Sequence, residues 1–503
     1  MARVFYFFIV IAVCFSSCST INKSYDPDKR YTRQQLQQDY ILLRNILEKK
    51  HPSLYWYTPK DSMDYYFDAY YQNIEDSMTE QQFGWQVLAP LTNKIHCGHT
   101  SFMMSENWTQ FIAKKTIPSF PLYMKIWDDT MVVIKNLNTN DSIIKNGTLI
   151  TSINGIRNRD IINQMFGYLP VDGYAENVNY IRLSVNFPYF HRNIYGIYKN
   201  YRVGYIDTAG IEETTLLPLY DLLPDSIQSK KQWEASKKAT EKIPRKELRK
   251  QYINSFRSMT IDSAINTAVI TLNTFSKGGG RHLGKFIRSS FRKIKKDSVK
   301  NVLLDLRING GGDIDMYVLL TKYLRNAPFK VADSTYAIAQ SLKPYGKYIK
   351  HGWINNIGLL FLTRKHADGK YHYGFYDRHF YHPKTRNHFN GNLYVLISGT
   401  TFSASTLFCN AVKGQSNVKL IGEETGGGWY GNNGIMIPEI TLPNTKLRVR
   451  LPLFRMVQYN HVIKDGHGVA PDIIVTPTLE NVRKGIDRKM VYTKELIRKS
   501  MAE

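Results

Sequence analysis

Three uninterrupted apolar runs in the second half of the 503-residue chain constrain its fold more than any other feature. They are Ala268-Val269-Ile270-Thr271-Leu272, Asn301-Val302-Leu303-Leu304-Asp305-Leu306 and Leu393-Tyr394-Val395-Leu396-Ile397. A strand with one wet face alternates apolar and polar residues, so runs without alternation belong to strands buried on both faces. With a basic helical stretch between the first two, they predict an α/β domain over 263–503, built on a largely parallel sheet. Residues 330–390, rich in Tyr, His and Lys, read as an insertion over that core.

Two of these runs end in turns with chemical potential. The second leads into Arg307-Ile308-Asn309-Gly310-Gly311-Gly312, and the third into Ser398-Gly399-Thr400-Thr401-Phe402-Ser403. A serine hydroxyl is a poor nucleophile until a sharp turn exposes it and a base takes its proton. Ser403 stands between a strand and a helix that starts near Ala404, whose free N–H groups favour a developing oxyanion. Ser405 is the neighbouring competitor, and simple helix capping is the plain alternative for either serine. Glycine at 310, 311 and 312 lets the backbone approach a substrate carbonyl closely. Asp305 and Arg307 read as groups that hold the strand end.

The first half has a different texture. Leu36, Tyr40, Leu43 and Leu47 recur at helical spacing behind Thr32, a plausible N-cap, and Pro52 stops that helix. Tyr65 to Leu91 reads as further amphipathic helix, ending near His96-Cys97-Gly98-His99, so 28–110 is expected to be a helical domain. From 111 to 221 short β-runs such as Met131-Val132-Val133-Ile134 alternate with turn residues. The basic segment at 222–262 reads as a linker.

Charge and cysteine usage narrow the setting. Arg3, the apolar run Val4–Phe15 and the small residues before Cys18 form a secretory signal peptide, 1–17, followed by a tether, 18–27. The formal charge is +25, and Lys230 to Lys250 holds nine basic residues against three acidic ones. No base-stacking aromatic module accompanies them, which argues against a nucleic-acid partner; an anionic membrane or glycan surface fits better. With Cys14 and Cys18 assigned to export, only Cys97 and Cys409 remain in the folded part, too few for a disulfide scaffold.

The leader Phe15-Ser16-Ser17-Cys18 resembles a bacterial lipobox, which implies acylation of Cys18 and, with Ser19 following, an outer-membrane position in the cell envelope. Four ordered strings resemble the tail-specific (C-terminal-processing) and tricorn-like serine peptidases. These are Leu304-Asp305-Leu306-Arg307-Ile308-Asn309-Gly310-Gly311-Gly312, Phe402-Ser403-Ala404-Ser405, Ile421-Gly422-Glu423-Glu424-Thr425-Gly426 and Gly468-Val469-Ala470-Pro471-Asp472-Ile473. The resemblance implies a ClpP/crotonase-like α/β catalytic core. It also implies a PDZ-like domain over 111–221, where Gly147 to Gly155 matches a PDZ strand and turn; a generic hairpin at Asn154-Gly155 is the alternative. Ser403 is then the nucleophile, Gly311 and Ala404 supply the oxyanion hole, and Gly310, Gly312, Trp429 and Tyr430 border the substrate. The expected activity is hydrolysis of peptide bonds in exported proteins or peptides, by an endopeptidase or a C-terminal processing enzyme, with no cofactor and no metal.

The base departs from the commoner family pattern. Where many members place a dyad lysine, this chain has Gly428. The tricorn-like branch instead draws a histidine from the segment before its PDZ-like domain, which here is His99, with His96 as fallback. A neutral imidazole accepts the serine proton and returns it to the leaving amine, and an acidic group fixes its tautomer. The branch's glutamate position is occupied by Asp465, which is equally suited to capping the turn at Gly466; Glu423 and Glu424 are the other candidates. The rival readings are a non-catalytic peptide-binding lipoprotein on the same fold and a metal hydrolase, although no carboxylate-histidine spacing typical of zinc is present.

Overall fold

The computed structural model describes residues 25–115, 117–221, 244–278 and 280–502. The expected signal peptide, Cys18 and most of the basic run from Lys230 lie outside the described residues. The central sheet has six strands in the order Arg257–Asp262, Thr267–Leu272, Asn301–Asp305, Asn392–Ile397, Val418–Gly422 and Ile473–Ile474. The first pair is antiparallel and all later pairs are parallel. The three apolar runs lie side by side, with Leu304 paired to both Ile270 and Val395. Both faces are covered, as the missing alternation requires. Val302, Leu304, Val395 and Leu420 share one core with Phe291, Tyr317 and Phe408 from helices Leu283–Lys296, Ile314–Leu324 and Ala404–Val412. Leu303, Leu396 and Ile421 face the other way, against Ile497 of helix Arg488–Ala502. Each such buried side chain contributes about 1.5–3 kcal/mol over its exposed state.

The expected basic linker is shorter than 222–262. Arg245–Phe256 is helical and Arg257–Asp262 is the antiparallel edge strand, with Met259 and Ile261 packed on the core. The strand went unread because its few apolar residues follow directly on a dense run of charge. The segment 330–390 also differs from an insertion lying over the core. Its strand Ala332–Ala337 pairs with Arg455–Gln458, which pairs in turn with Gly431–Asn432, so the segment is woven into a second sheet.

In the N-terminal region Thr32 forms a capping box with Gln35, and helix Arg33–Lys50 stops before Pro52. The continuous helix expected over 65–91 is broken. Helix Lys60–Gln72 ends at Asn73, Thr79 starts a new capping box with Gln82, and a π-helical turn at Gly84–Leu88 leads into Ala89–Asn93. These helices share one core with the C-terminal part: Leu36, Leu43 and Leu91 pack with Leu342, Leu359, Ile440, Leu447 and Val449. Strand Phe102–Met103 pairs with Arg448–Arg450, which fixes the chain three residues beyond His99.

The segment from 111 to 221 holds an antiparallel sheet in the order Leu122–Trp127, Thr130–Asn136, Leu149–Ile153, Asn200–Ile206 and Glu212–Pro218, with its own core. Asn154-Gly155 makes the hairpin turn that the sequence implies. Two helices went unread, Asn158–Phe166 and Asn177–Tyr195. The second is kinked at Asn186, just before Pro188, whose ring removes a helical hydrogen bond. Among the described residues, no helix is long and apolar enough to cross a membrane.

Candidate active site

Ser403 caps helix Ala404–Val412 with φ 55° and ψ −121°, a conformation that non-glycine residues adopt only under constraint. The constraint comes from the neighbouring strand end. Phe402 N–H donates to the Asn309 carbonyl at 3.1 Å, and Thr401 Oγ1 donates to the Leu306 carbonyl at 3.0 Å. Ala404 N–H is the first of the helix, so it has no intrahelical acceptor. Ser405, the competitor, is fully buried within the helix.

The glycine turn lies directly against Ser403. A Cβ on Gly311 would stand 2.8 Å from Ser403 Cβ and 3.0 Å from Ala404 N, and Gly311 also holds φ +99°, so only glycine fits. Its N–H, expected in the oxyanion hole beside that of Ala404, donates instead to Asn309 Oδ1 at 2.9 Å. Gly310 and Gly312 are exposed, and Gly312 bridges to Phe275. Arg307 binds Asp305 at 2.6 Å and Asp487 at 2.6 Å and so braces the strand end, as its sequence suggested.

His99 comes from the N-terminal region and packs on Phe402 in a tilted arrangement, with ring centroids 4.6 Å apart. Its Nε2 and Ser403 Oγ converge on one point: a Cβ on Gly434 would lie 3.4 Å from the first and 3.0 Å from the second. Gly434 is held by its N–H donating to Asn432 Oδ1 at 2.9 Å. Burial, opposed by Asp172 and reinforced by Arg450 and Arg455, lowers the His99 pKa below its ordinary 6.5. The imidazole is therefore neutral at pH 7, the state a base requires. His96 is otherwise engaged, with its Nδ1 2.8 Å from the Gly173 carbonyl.

The carboxylate beside His99 is Asp172, not Asp465. Asp172 is buried; its Oδ1 lies 4.0 Å from His99 Nδ1 and accepts the Gly98 N–H at 2.6 Å. Asp465 is exposed and accepts the His467 N–H at 2.9 Å, which is the turn-capping role. Its turn still bears on the site, because the Gly466 carbonyl accepts Tyr174 N–H at 2.8 Å and Gly173 N–H donates to His96 O at 3.0 Å, clamping the Asp172 loop. Glu424 accepts Gly468 N–H, and Glu423 pairs with Lys489, so neither serves His99. Sequence reasoning missed Asp172 and Gly434. The strings Pro170-Val171-Asp172-Gly173 and Asn432-Asn433-Gly434 read as turns, and only their place in space distinguishes them.

Gly428 sits where a dyad lysine would stand. Its N–H lies 3.5 Å from Asp172 Oδ2, and a Cβ there would meet the Gly431 carbonyl at 2.7 Å. Trp429 bonds Asn410 Oδ1 at 3.0 Å and packs on the core, while Tyr430 stacks on Trp56. Both are anchored in the protein's own aromatic and polar contacts. Among the described residues, Cys97, His99 and Asp172 place their donor atoms within 4.8 Å of one another, close enough to hold a metal ion. Burial pushes the Cys97 thiol up to about 11, so an ion would first have to displace its proton. Cys97 and Cys409 are both free and buried.

A half-buried serine on a strained strand-to-helix turn, facing a neutral histidine, is what a serine-type peptidase requires, and the family match agrees. Residues 266–475, which span the parallel strands and Ser403, match the family described as Peptidase family S41, over less than half of the chain. Comparison with curated proteins gives no match. Among solved structures, mature CPAF complexed with lactacystin is similar at 13% identity, with 92% of this chain and 98% of that one covered and a TM-score of 0.62. Mature CPAF alone gives 14% identity, 92% and 97% coverage and a TM-score of 0.61. At these identities the likeness is one of fold. The photosystem II D1 C-terminal processing protease is matched at 13% identity, over 90% and 98% of the two chains, with a TM-score of 0.38.

Proposed function

We propose that the protein hydrolyses peptide bonds through an acyl-enzyme on Ser403, with His99 as general base and Asp172 as the group that orients it. Ser403 Oγ attacks the scissile carbonyl carbon while its proton passes to His99 Nε2. The oxyanion is met by Ala404 N–H, joined by Gly311 N–H once it releases Asn309. The leaving amine takes the proton back from His99, and water then repeats the sequence to free the acid. The observation that carries this reading is the convergence of Ser403 Oγ and His99 Nε2, from opposite ends of the chain, on Gly434.

The substrates in this reading are exported proteins or peptides, cleaved internally or near their C-termini. A PDZ-like role for 111–221 is supported by its edge strand Glu212–Pro218, where an extended ligand can add to the sheet. Attachment to the outer membrane would run through acylated Cys18. A fluorophosphonate probe should label the wild-type protein and fail on Ser403→Ala, and a peptide library should be cleaved by the wild type alone, with a chelator making no difference. Labelling that persists in Ser403→Ala would place the nucleophile elsewhere. Labelled fatty acid should enter the wild type and not Cys18→Ala.

A further inference from the structure

Helix Gly352–Leu362, in the segment woven into the second sheet, carries no charged residue along its length. It seats on the body through buried Gly352 and Leu359 and through Asn356 Oδ1, which accepts the Leu342 N–H at 2.9 Å. Its remaining apolar side chains, Trp353, Ile354, Ile357, Leu360, Phe361 and Leu362, face solvent. Trp353 is 71% exposed and Phe361 76% exposed, one near each end. Contiguous apolar surface of this kind on a folded protein marks a contact face rather than chance exposure.

The rim of this face is basic. Exposed Lys343, Lys347 and Lys350 precede the helix, and Lys343 and Lys347 line one cavity together with Trp353. Exposed Arg364 and Lys365 follow it, with Arg364 Nη1 donating to the Thr363 carbonyl at 2.8 Å and to the last carbonyls of the helix. Among the described residues, Lys350 is the one of these cations with an acidic partner, Glu106 at 3.7 Å and Glu439 at 3.8 Å. Two copies meeting across a two-fold axis would bring these like-charged rims together. An anionic lipid surface answers both features at once: the apolar side chains enter the acyl boundary and the cations meet the phosphates.

We propose that this helix docks on an anionic bilayer, with Trp353 and Phe361 inserted below the headgroups and Lys343, Lys347, Lys350, Arg364 and Lys365 against them. The docking is independent of acylation at Cys18 and of catalysis at Ser403. A second contact beside the lipid anchor would set the orientation of the cleft above the membrane.

The test uses the full chain with vesicles of phosphatidylglycerol and phosphatidylcholine whose acyl chains are brominated, which quench tryptophan only at the acyl boundary. The chain has seven tryptophans, so the Trp353 signal is read as the difference between wild type and Trp353→Phe. Trp353 should be strongly quenched in these vesicles and much less in brominated phosphatidylcholine alone or at high salt. The double substitution W353E/F361E should lower the bound fraction of an unacylated Cys18→Ala chain about tenfold or more, while cleavage of a soluble peptide by the same variant shows that it is folded. A Trp353 signal equally unquenched in every vesicle overturns the proposal, even if the acyl chain holds the protein on the bilayer. A Trp353 already shielded without vesicles, in a species of twice the monomer mass, overturns it in favour of self-association.

Discussion

Asp172 Oδ1 stands 4.0 Å from His99 Nδ1 and is held there by the Gly98 N–H at 2.6 Å, so the carboxylate that faces His99 comes from a loop before helix Asn177–Tyr195. The distance exceeds a hydrogen bond, yet both groups are buried, so the Asp172 carboxylate acts on the His99 ring with little screening. A modest closure on substrate would bring them into contact, as happens when catalytic hydrogen bonds tighten in a complex.

Asp172→Asn should therefore lower kcat by about 10²- to 10⁴-fold. Asp465→Asn should change it by less than about twofold, since an exposed turn cap acts only at a distance. Steady-state kinetics on one peptide substrate compare the two; a larger loss at Asp465 would return the orienting role to that residue. Asp172→Glu should recover part of the lost rate.

Activity should rise with pH as His99 loses its proton, with a midpoint below 6.5, because burial outweighs the attraction of Asp172 for the protonated ring. A lysine base would put the same limb several pH units higher. Asp172→Asn removes the one neighbour that raises the His99 pKa, so its residual activity should show the limb displaced further toward acid. A purely structural role for Asp172 would leave the limb where it was.

Gly434→Ala tests the convergence of nucleophile and base. Its Cβ would press on Ser403 Oγ at 3.0 Å and on Asn432 Oδ1 at 3.1 Å, and touch His99 Nε2 at 3.4 Å. kcat/KM should fall about 10²-fold, the scale of a small misplacement of reacting groups, while Tm moves by no more than about 2 °C. A full-rate variant would mean that the two atoms do not work together.

The turn at Ser403 should also be visible in stability. With φ 55° and ψ −121°, Ser403→Gly should resist urea better than Ser403→Ala, by about 1 kcal/mol, since glycine tolerates that conformation. Both variants should be inactive. Equal urea midpoints would show that the turn is unstrained.

Reading along the chain recovered the central sheet because burial on both faces writes itself as an unbroken apolar run, visible within five or six residues at Thr267–Leu272, Asn301–Asp305 and Asn392–Ile397. Ser403 and the glycine turn were legible for a related reason: local backbone geometry selects their residue types. His99 was found only through family resemblance, since one histidine in a turn has no local signature. The edge strand Arg257–Asp262 and helices Asn158–Phe166 and Asn177–Tyr195 were missed where charge or β-like texture masked a weak period.

The sequence by itself determined the parallel sheet, the turn that exposes Ser403 and the absence of a dyad lysine at position 428, because each depends on neighbours along the chain. Tertiary structure alone decided that Asp172 and not Asp465 faces His99, and that Gly434 clears the space between Ser403 and His99. These relations join His99 to residues 73 and 335 positions away along the chain, and their energies depend on burial and distance, which no local pattern of residue types encodes.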